Sequence, residues 1–383
     1  MPQSPHREVL YPGAMLGMLG GGQLGRMFTV SALQMGYQVT VLDPDPGSPA
    51  GQLANRHLQA AYDDEAALAE LAQCDAVTIE FENIPLASMR FLEHHCRVSP
   101  PSTAVEIAQD RLEEKGFANK HGIATAAYAP IENTEDIPAA CELAGFPSIL
   151  KTARLGYDGK GQVVCRNLAA VTEAFEQLGQ VACVLEQKID LACELSVVLA
   201  RGMDDEVAVF PVAENMHENG ILDISLVPAR VDEELQQTAI EKAVILARAL
   251  EYVGVMAVEF FVTETGQVLM NEMAPRPHNS GHYTLDATTA SQFDLQVLAL
   301  CGLPLPECSL LTPVAMLNLL GDRWENAGPH WAEVFTNNET AQPCLHLYGK
   351  SEARVGRKMG HVNFIAADVK SALDAAVNAR AKV

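Results

Sequence analysis

The first hundred residues alternate short apolar runs with amphipathic segments. Residues 14–19, 38–42 and 76–79 are apolar enough to predict buried strands, whereas 23–36 and 65–73 have helical spacing. Strand and helix alternating in this way indicate a parallel sheet covered by helices. The run Ser99-Pro100-Pro101-Ser102 interrupts the pattern, and a new helix is predicted from there to about His121.

The middle of the chain shows a different pattern. Helices predicted at 135–144 and 232–252 are separated by apolar strands at 149–152, 162–166, 181–189 and 194–200. Residues 255–262 and 267–273 predict a hairpin, so this part is α+β with mostly antiparallel pairing. After a Pro-rich stretch from about residue 304, short strands are predicted at 314–320, 345–348 and 361–365, with a last helix at 369–379.

Length and charge narrow the class of protein. A chain of 383 residues predicts two or three packed units. The net charge of −23 argues against a nucleic-acid backbone or an anionic membrane as partner, but not against a small anion. The nine cysteines include no Cys-x-x-Cys pair, which favours reduced core thiols in a cytosolic protein over zinc or disulfides. No secretory signal or membrane-spanning run is visible.

Two glycine-rich loops are candidate phosphate sites. The first, 20–25, fits G-x-G-x-x-G between a strand and a helix, and Asp43 ends the next strand. It predicts either a dinucleotide site of an NAD oxidoreductase or simply the tight turn that any such sheet needs. The second, 156–162, follows Lys151 but lies between strands, which is the wrong context for a Walker loop. It is either a phosphate-covering hairpin or a plain mobile one.

The predicted hairpin carries two carboxylates. If Thr265-Gly266 forms its turn, Glu259 and Glu272 lie directly opposite each other on one face. Like charges in this arrangement destabilise a sheet, and a divalent cation would resolve the conflict. The two glutamates with Asn271 therefore predict a Mg²⁺-type oxygen site. The alternative is an outward, solvated face with a raised carboxyl pKa.

Cations cluster in two later segments. Arg276, within the donor-rich stretch 274–282, is a candidate anion clamp, whereas the non-helical context of His278 and His282 disfavours a zinc pair. Basic residues are also concentrated between 350 and 358. That run is either a solvated face or a local phosphate site.

Four segments together resemble the N5-carboxyaminoimidazole ribonucleotide synthetase family of ATP-grasp enzymes, which act in purine biosynthesis. They are residues 21–27, 156–162, 186–189 and, most specifically, 271–282. The resemblance implies a Rossmann-like N-terminal α/β domain (1–103), an ATP-grasp body of two α+β lobes (104–306, divided near 183) and a small β-rich C-terminal domain (307–383). It further implies a cytoplasmic homodimer.

The implied reaction carboxylates 5-aminoimidazole ribonucleotide with bicarbonate and ATP, through carboxyphosphate, and yields ADP and phosphate. The implied cofactors are ATP and Mg²⁺ or Mn²⁺, with Glu259 and Glu272 as metal ligands. The ATP-site positions are Arg111, Lys151, Gly156, Tyr157, Asp158, Gly159, Lys160, Gly161, Gln162, Glu186, Gln187, Lys188, Ile189, Glu194, His217, Asn271 and Glu272. The ribonucleotide positions are Gly22, Gln23, Leu24, Tyr157, Asp158, Arg276, His278, Asn279, Ser280, Lys350, Arg357 and Lys358.

Asp158, Arg276 and Lys350 are the catalytic candidates, with Asp158 orienting or deprotonating the attacking amine. Two positions depart from the family pattern: Lys160 stands where Arg is often found, and Asp223 where many relatives have Arg. Three alternatives remain: a formate-dependent glycinamide ribonucleotide transformylase, the NAD oxidoreductase, and a non-catalytic nucleotide sensor.

Overall fold

The N-terminal part is a parallel sheet of strand order β3-β2-β1-β4-β5 in a computed structural model that describes residues 8–156, 161–324, 329–336, 340–380 and 382. Its elements are β1 Met15–Leu19, α1 Gln23–Gln34, β2 Gln38–Leu42, β3 Arg56–Leu58, α2 Glu65–Leu71, β4 Ala76–Ile79, α3 Leu86–Glu93 and β5 Arg97–Val98. All four pairings are parallel, which confirms the sequence expectation for this part. Apolar side chains fill both faces of the sheet, so its strands read as continuous hydrophobic runs.

Two helices, α4 (Ser102–Ala108) and α5 (Arg111–Lys120), replace the single helix predicted up to His121. The break falls at Asp110, whose carboxylate accepts a hydrogen bond from the Leu112 amide at 3.0 Å. Asp competes for backbone donors in this way and favours the N-cap over the helix interior. The new start places Arg111 and Lys115 one turn apart on α5.

A small antiparallel sheet of order β6-β9-β7-β8 follows. It comprises β6 Tyr128–Ile131, α6 Ile137–Ala144, β7 Ser148–Thr152, β8 Gln162–Cys165, α7 Leu168–Gln177 and β9 Cys183–Gln187. Both helices pack on one face of the sheet around Leu150, Phe175 and Leu185. Strands β7 and β8 pair antiparallel, and Lys151 lies opposite Gln162 near the end of β7.

A large antiparallel sheet, of order β15-β14-β10-β12-β13-β16-β18-β17 with β11 beside β10, forms the rest of the molecule. Its elements are β10 Leu191–Arg201, β11 Val207–Val209, β12 Ala213–Glu218, β13 Ile221–Val227, α8 Glu233–Ala249, β14 Gly254–Thr263, β15 Val268–Ala274, α9 Thr284–Ala287, α10 Gln292–Cys301, β16 Val314–Leu320, α11 Trp331–Thr336, β17 Ala341–Leu347, β18 Lys358–Ala366 and α12 Val369–Arg380. The C-terminal strands continue the sheet of the middle part, because β16 pairs with β13.

Helix α10 connects the N-terminal sheet to the large sheet. Phe293 and Val297 pack into one core of the N-terminal sheet, whereas Leu295 and Ala299 pack into a core under β10 and β14. The helix is apolar on most sides, as expected for one buried between two layers. Within the described residues, no helix is both long and apolar enough to span a membrane.

The β14–β15 hairpin confirms the predicted pairing of Glu259 with Glu272, although its turn differs from the predicted one. Thr263 pairs with Gln267 through a backbone hydrogen bond of 3.0 Å, so the loop contains three residues rather than two. Gly266 in this loop has φ +79°, a conformation that glycine adopts without strain. A register shift after Glu259 then leaves Asn271 as an extra residue and restores the predicted pairing.

Candidate active site

Glu259 and Glu272 are half-buried and face each other across β14 and β15. Burial and the neighbouring Glu272 charge raise the pKa of Glu259. Burial also acts on Glu272, but Arg111 and Lys151 outweigh it and hold the pKa of Glu272 below its usual range. Neighbouring carboxylates whose pKa values are shifted in opposite directions are typical of functional sites.

Arg111, the first residue of α5, lies beside this carboxylate pair. Its Nη1 donates to Glu272 Oε2 at 2.9 Å, and its backbone amide donates to Ala153 O at 2.9 Å. The side chain is 17% exposed, so its charge acts where little water screens it. Arg111 therefore points a fixed positive charge into the region where the sequence predicts ATP phosphates.

A buried ion network lies directly behind Arg111. Lys151 Nζ on β7 is 2.9 Å from Glu186 Oε2, and Lys115 Nζ is 3.2 Å from Glu186 Oε1. Lys115 also donates to the Asn271 carbonyl at 3.2 Å, which connects α5 to the hairpin. The Glu186 carboxylate is thus paired with two lysines, and the reading of adenine by 186–189 stays a prediction.

Residues 187–189 follow Glu186 and do not line the two cavities around Glu259 and Glu272. Among the described residues, neither of the two cavities around the glutamate pair is lined by Glu186, Gln187, Lys188 or Ile189. The backbone amides of Gln187 and Lys188 donate to Ala127 O and Pro147 O. Lys115 was not predicted from the sequence, although its position one turn after Arg111 on an otherwise regular helix was a usable signal.

The smaller cavity, of about 250 Å³, lies between the two antiparallel sheets. Of the residues that the sequence predicts for the ATP site, the following line this cavity: Arg111, Lys151, Gly156, Gly161, Gln162, Glu194, His217, Asn271 and Glu272. His217 Nδ1 is 3.0 Å from Glu194 Oε2. Burial lowers the pKa of His217, but the hydrogen bond to Glu194 and the charge of Glu259 raise it above its usual value overall. Tyr157, Asp158, Gly159 and Lys160, which belong to the same predicted loop, lie outside the described residues.

The larger cavity, of about 710 Å³, lies between the N-terminal sheet and the C-terminal strands. Gln23 and Leu24 at the start of α1 line one wall, and Arg276 lines another. Arg276 Nε donates to Glu82 Oε2 at 2.6 Å, which fixes the guanidinium at the end of β4. Because the chain folds β4, the 275–278 segment and the C-terminal strands around one space, distant predicted residues meet here.

The basic run between 350 and 358 lines the larger cavity and is more than a solvated face. Its lining members are Lys350, Arg354, Arg357 and Lys358. Lys350 Nζ donates to the Lys358 carbonyl at 2.7 Å and lies 5.7 Å from the centre of the Tyr348 ring. Arg357 Nη1 donates to Glu352 O at 2.8 Å. Several cations along one wall of a cavity favour a ligand that carries phosphate.

The two cavities meet at the glutamate pair. Arg111, Glu259, Glu272, His278 and Asn279 line both of them. Asn271 Oδ1 and both side-chain polar atoms of Asn279 are buried with no hydrogen-bond partner among the described residues. Buried polar groups are nearly always paired, so these atoms indicate where a ligand supplies the missing partners.

His278 and Ser280 complete the wall at this junction. His278 Nε2 lies 3.6 Å from Glu259 Oε1, and its Nδ1 lies 2.9 Å from Ser280 Oγ. Burial and the charge of Arg276 lower the pKa of His278 to about 3, so the ring is neutral at neutral pH. Ser280 is buried against the His278 ring, and its predicted ribonucleotide contact stays a prediction.

The N-terminal glycine loop is occupied by the protein's own carboxylates. The Gly21 amide donates to Asp43 Oδ2 at 2.7 Å, and Tyr62 donates to the same oxygen at 2.7 Å. The amides of Gly22 and Gly25 donate to Glu80, the second of them at 2.8 Å. The amides that would bind a pyrophosphate, and the acid that would bind a ribose, are therefore already paired, which removes the basis of the NAD alternative.

Three family models match successive parts of the chain. Residues 14–109 match the ribonucleotide synthetase preATP-grasp domain, 116–293 the ATP-grasp domain, and 314–375 the phosphoribosylaminoimidazole carboxylase C-terminal domain. The fold and the cation-lined cavities agree with this order of domains. They define an ATP-grasp ligase with a Rossmann-like N-terminal domain.

The similarity extends over nearly the whole chain. N5-carboxyaminoimidazole ribonucleotide synthase from Bacillus subtilis is 44% identical over 361 residues, which cover 94% of this chain and 93% of the relative. A solved ADP complex of N5-carboxyaminoimidazole ribonucleotide synthetase superposes with a TM-score of 0.92 at 45% identity, covering 97% and 98% of the two chains. The Aspergillus clavatus enzyme in complex with ADP and 5-aminoimidazole ribonucleotide gives 0.89 at 30% identity, covering 98% and 100%. The chain belongs to the N5-carboxyaminoimidazole ribonucleotide synthase family, and not to the formate-dependent transformylases.

Proposed function

We propose that this protein carboxylates 5-aminoimidazole ribonucleotide with bicarbonate in an ATP-dependent reaction of purine biosynthesis. The products are N5-carboxyaminoimidazole ribonucleotide, ADP and phosphate. The observation that carries the proposal is the meeting of two cation-lined cavities at Glu259 and Glu272, beside unpaired buried amide atoms. One cavity suits the nucleoside triphosphate, and the other suits a second phosphorylated substrate.

The smaller cavity holds ATP in this proposal. Lys151 and Arg111 neutralise phosphate charge at short range, since both are largely buried and already fixed by Glu186 and Glu272. Glu194 and His217, paired at 3.0 Å, line the same cavity and suit the ribose hydroxyls. Fixed groups of this kind contribute mainly by positioning the reacting phosphoryl group.

A divalent cation fits the glutamate pair. Two opposed carboxylates and the unpaired Asn271 Oδ1 are hard oxygen donors of the kind that Mg²⁺ prefers. No group of three or more His, Cys, Asp or Glu converges as a metal site within the described residues, so phosphate oxygens and water would complete the coordination. When bound, Mg²⁺ would neutralise phosphate charge and lower the barrier to phosphoryl transfer.

The larger cavity holds the ribonucleotide. Its phosphate is bound by the wall that carries Lys350, Arg357 and Lys358, and its imidazole lies towards Arg276 and the junction. Gln23 and Leu24, at the start of α1, close the opposite side. The reacting amine is thereby brought to the shared wall, where the phosphorylated carbonate is formed.

The reaction takes place in two steps. Bicarbonate attacks the γ-phosphorus of ATP, so carboxyphosphate forms and ADP leaves. The exocyclic amine of the ribonucleotide then forms a bond to the carboxyl carbon, a proton is lost from nitrogen, and phosphate leaves. Arg276, His278 and Asn279 line the space between the cavities and stabilise the anionic carboxyphosphate while limiting the access of water.

Asp158 has a proposed role that rests on the resemblance, because it lies outside the described residues. If Asp158 orients or deprotonates the amine, Asp158→Asn keeps ATP binding and removes carboxylation. Calorimetric titration with a non-hydrolysable ATP analogue, next to product formation, measures both properties. Near-normal turnover of this variant would contradict the role.

The proposed activity is tested by following ADP release after 5-aminoimidazole ribonucleotide and bicarbonate are added with Mg·ATP. With ¹³C-bicarbonate, the label is expected to appear in the N5-carbamate of the ribonucleotide, as observed by NMR. Parallel reactions with formate and glycinamide ribonucleotide serve as the comparison. ATP binding without turnover in the complete mixture would instead favour a nucleotide sensor.

The same resemblance supports a homodimer. Analytical ultracentrifugation at micromolar protein concentration is expected to give twice the chain mass of 41.3 kDa. A single species at the monomer mass, together with full activity, would remove this part of the proposal.

A further inference from the structure

Gln292, at the start of α10, binds the backbone of His278 from both sides. Gln292 Oε1 accepts the His278 amide at 2.8 Å, and Nε2 donates to the His278 carbonyl at 2.8 Å. The same Nε2 lies 3.1 Å from His282 Nδ1. The Gln292 side chain is fully buried, so these bonds are shielded from competing water.

This close approach depends on Gly281. A Cβ atom at position 281 would lie 2.6 Å from Gln292 Oε1, closer than any unstrained contact. Gly281 has an ordinary negative φ, so the glycine is required by space and not by backbone conformation. The segment 278–282 is therefore shaped to receive one primary amide.

The imidazole ring of His278 is held in place by Ser280 at its Nδ1 atom. The Ser280 amide donates to His278 Nδ1 at 3.3 Å, and Ser280 Oγ lies 2.9 Å from the same atom. Ser196, buried on β10, lies behind Ser280 with an Oγ–Oγ distance of 2.8 Å. A backbone N–H can only donate, so Nδ1 carries no proton in this arrangement.

The proton of the neutral ring therefore lies on Nε2. That nitrogen points to the junction of the cavities and is 3.6 Å from Glu259 Oε1. A ring fixed in this way presents a donor to an anionic group between the cavities, and it cannot present an acceptor. The identity of the tautomer thus decides what His278 is able to bind.

We propose that Gln292 is a positioning residue, which together with Ser196 holds His278 as the Nε2–H tautomer with its donor directed at the shared wall of the cavities. The inference rests on the proposed function, because it assigns His278 a donor role towards the oxyanion formed there. Gln292 itself lines neither of the two cavities described above and acts through the 278–282 segment.

Gln292→Met tests the proposal, and Gln296→Met is its matched control. Gln296 lies one turn later on α10 and makes an equivalent buried pair, accepting from the Val255 amide at 2.6 Å and donating to Thr78 Oγ1 at 2.6 Å. Gln296→Met removes these two bonds, and Gln292→Met removes the two bonds to the His278 backbone together with the contact to His282 Nδ1. Only Gln292→Met is expected to lower kcat, by about 100-fold, while the KM for ATP changes little. Equal losses of kcat in the two variants, in step with their unfolding temperatures, would overturn the proposal.

Nitrogen-15 NMR of the histidine-labelled, unsubstituted protein gives a second test that does not depend on turnover. The His278 signals, identified by their loss in His278→Gln, are expected to show a bare Nδ1 and a protonated Nε2. In Gln292→Met these signals should shift towards a mixture of tautomers, whereas in Gln296→Met they should not move. A protonated Nδ1 in the unsubstituted protein would overturn the proposal, even if carboxylation were confirmed. If the tautomer is as expected but no carboxylation occurs, the proposed function alone fails.

Discussion

The glycine loop of the N-terminal sheet and the β14–β15 hairpin each bring two carboxylates to one place, yet they differ in how those carboxylates are paired. Asp43 and Glu80 accept hydrogen bonds from backbone amides of the chain itself. Glu259 and Glu272 face each other, and the amide atoms beside them have no partner among the described residues. The first pair is hydrogen-bonded by the protein's own backbone amides. In the second pair, Glu272 accepts from Arg111, but the neighbouring amide atoms still lack partners among the described residues.

This difference explains why the glycine loop supports a ligand site less well than the hairpin does, although the loop fits the better-known motif. The 20–25 loop fits a known dinucleotide pattern, but its donors are already used by Asp43 and Glu80. The hairpin matches no short motif, and only the cost of opposed charges in a sheet pointed to a cation. Unpaired buried groups that also line a cavity therefore point to the ligand site, whereas spacing alone identifies only places where a ligand would fit.

The largest expected effect concerns the incomplete pair. Glu272→Gln and Glu259→Gln are each expected to lower the rate of ADP release by about 1,000-fold, because charge compensation of the phosphates is lost where the two cavities meet. The measurement is steady-state turnover with saturating substrates at several Mg²⁺ concentrations. Glu264→Gln, in the exposed turn of the same hairpin, is the control and should keep full activity.

A loss of only a few-fold in both hairpin variants would contradict the comparison, since these carboxylates would then be no more essential than those of the glycine loop. A partial recovery of activity at high Mg²⁺ in Glu259→Gln would sharpen it. Such recovery indicates weaker binding of the cation rather than a misfolded hairpin.

The second expected effect concerns the ion network of Glu186, Lys115 and Lys151, which lies next to the Glu259–Glu272 pair. This network is closed, since its charges are paired within the protein. Lys115 is 1% exposed and shares Glu186 with Lys151, so Lys115→Met leaves Glu186 Oε1 without its cation. Breaking a buried ion pair completely costs about 3–5 kcal/mol, and because Glu186 keeps Lys151 the free energy of unfolding in urea should fall by about 3 kcal/mol, the lower end of that range. Lys120→Met, at the exposed end of the same helix, should have almost no effect. Equal stability of the two variants would show that the network is not closed as described.

The hairpin also shows how much of the candidate site could be predicted from the sequence. Two apolar runs predicted the strands, and a register count predicted Glu259 opposite Glu272. The turn was nevertheless wrong by one residue, and the bulge at Asn271 went unpredicted; the two errors compensated each other. A bulge is set by the tertiary position of its neighbours, here the Lys115 contact to the Asn271 carbonyl, and no local pattern encodes it.

Other features could not be predicted from the sequence because they also depend on tertiary contacts. The strands Ala213–Glu218 and Ile221–Val227 were not predicted, because the first is half polar and its His217 faces a cavity instead of a core. The pairing of β13 with β16 joins residues nearly ninety positions apart, which a linear pattern cannot show. Lys350 and Arg276 were recognised as charges in the sequence, but only the fold brings them to one cavity.

A smaller effect is expected at the glycine loop. Asp43 Oδ2 accepts from the Gly21 amide and the Tyr62 hydroxyl, and Oδ1 accepts from the Asp45 amide at 2.8 Å. Asp43→Asn offers one acceptor oxygen in place of two, so about 1–3 kcal/mol of stability should be lost. The loss should appear in urea unfolding, whereas ADP release at saturating substrate stays close to that of the unsubstituted protein. Asp45→Asn, two residues later and exposed, is the control.

Added NADH provides the contradicting outcome for this loop. If the loop is closed, NADH should neither bind to the unsubstituted protein nor stabilise it against unfolding. NADH binding that is abolished by Asp43→Asn would show that the internal hydrogen bonds are displaced by a ligand. The distinction between the two carboxylate pairs would then be one of degree.

The smallest expected effect concerns Asp223, one of the two departures that the resemblance to the family predicts. Its Oδ2 lies 3.1 Å from Arg380 Nη1 on α12, and Arg380 is one-third exposed, so the pair should contribute only about 0.5 kcal/mol. Asp223→Asn should lower stability by that amount and leave the KM for the ribonucleotide unchanged. Arg380→Gln should cost somewhat more, because Arg380 also pairs with Glu218, and the double variant should add little to Arg380→Gln alone. A raised KM in Asp223→Asn, but not in Arg380→Gln, would instead place Asp223 with the open hairpin pair as an acid that acts on a ligand.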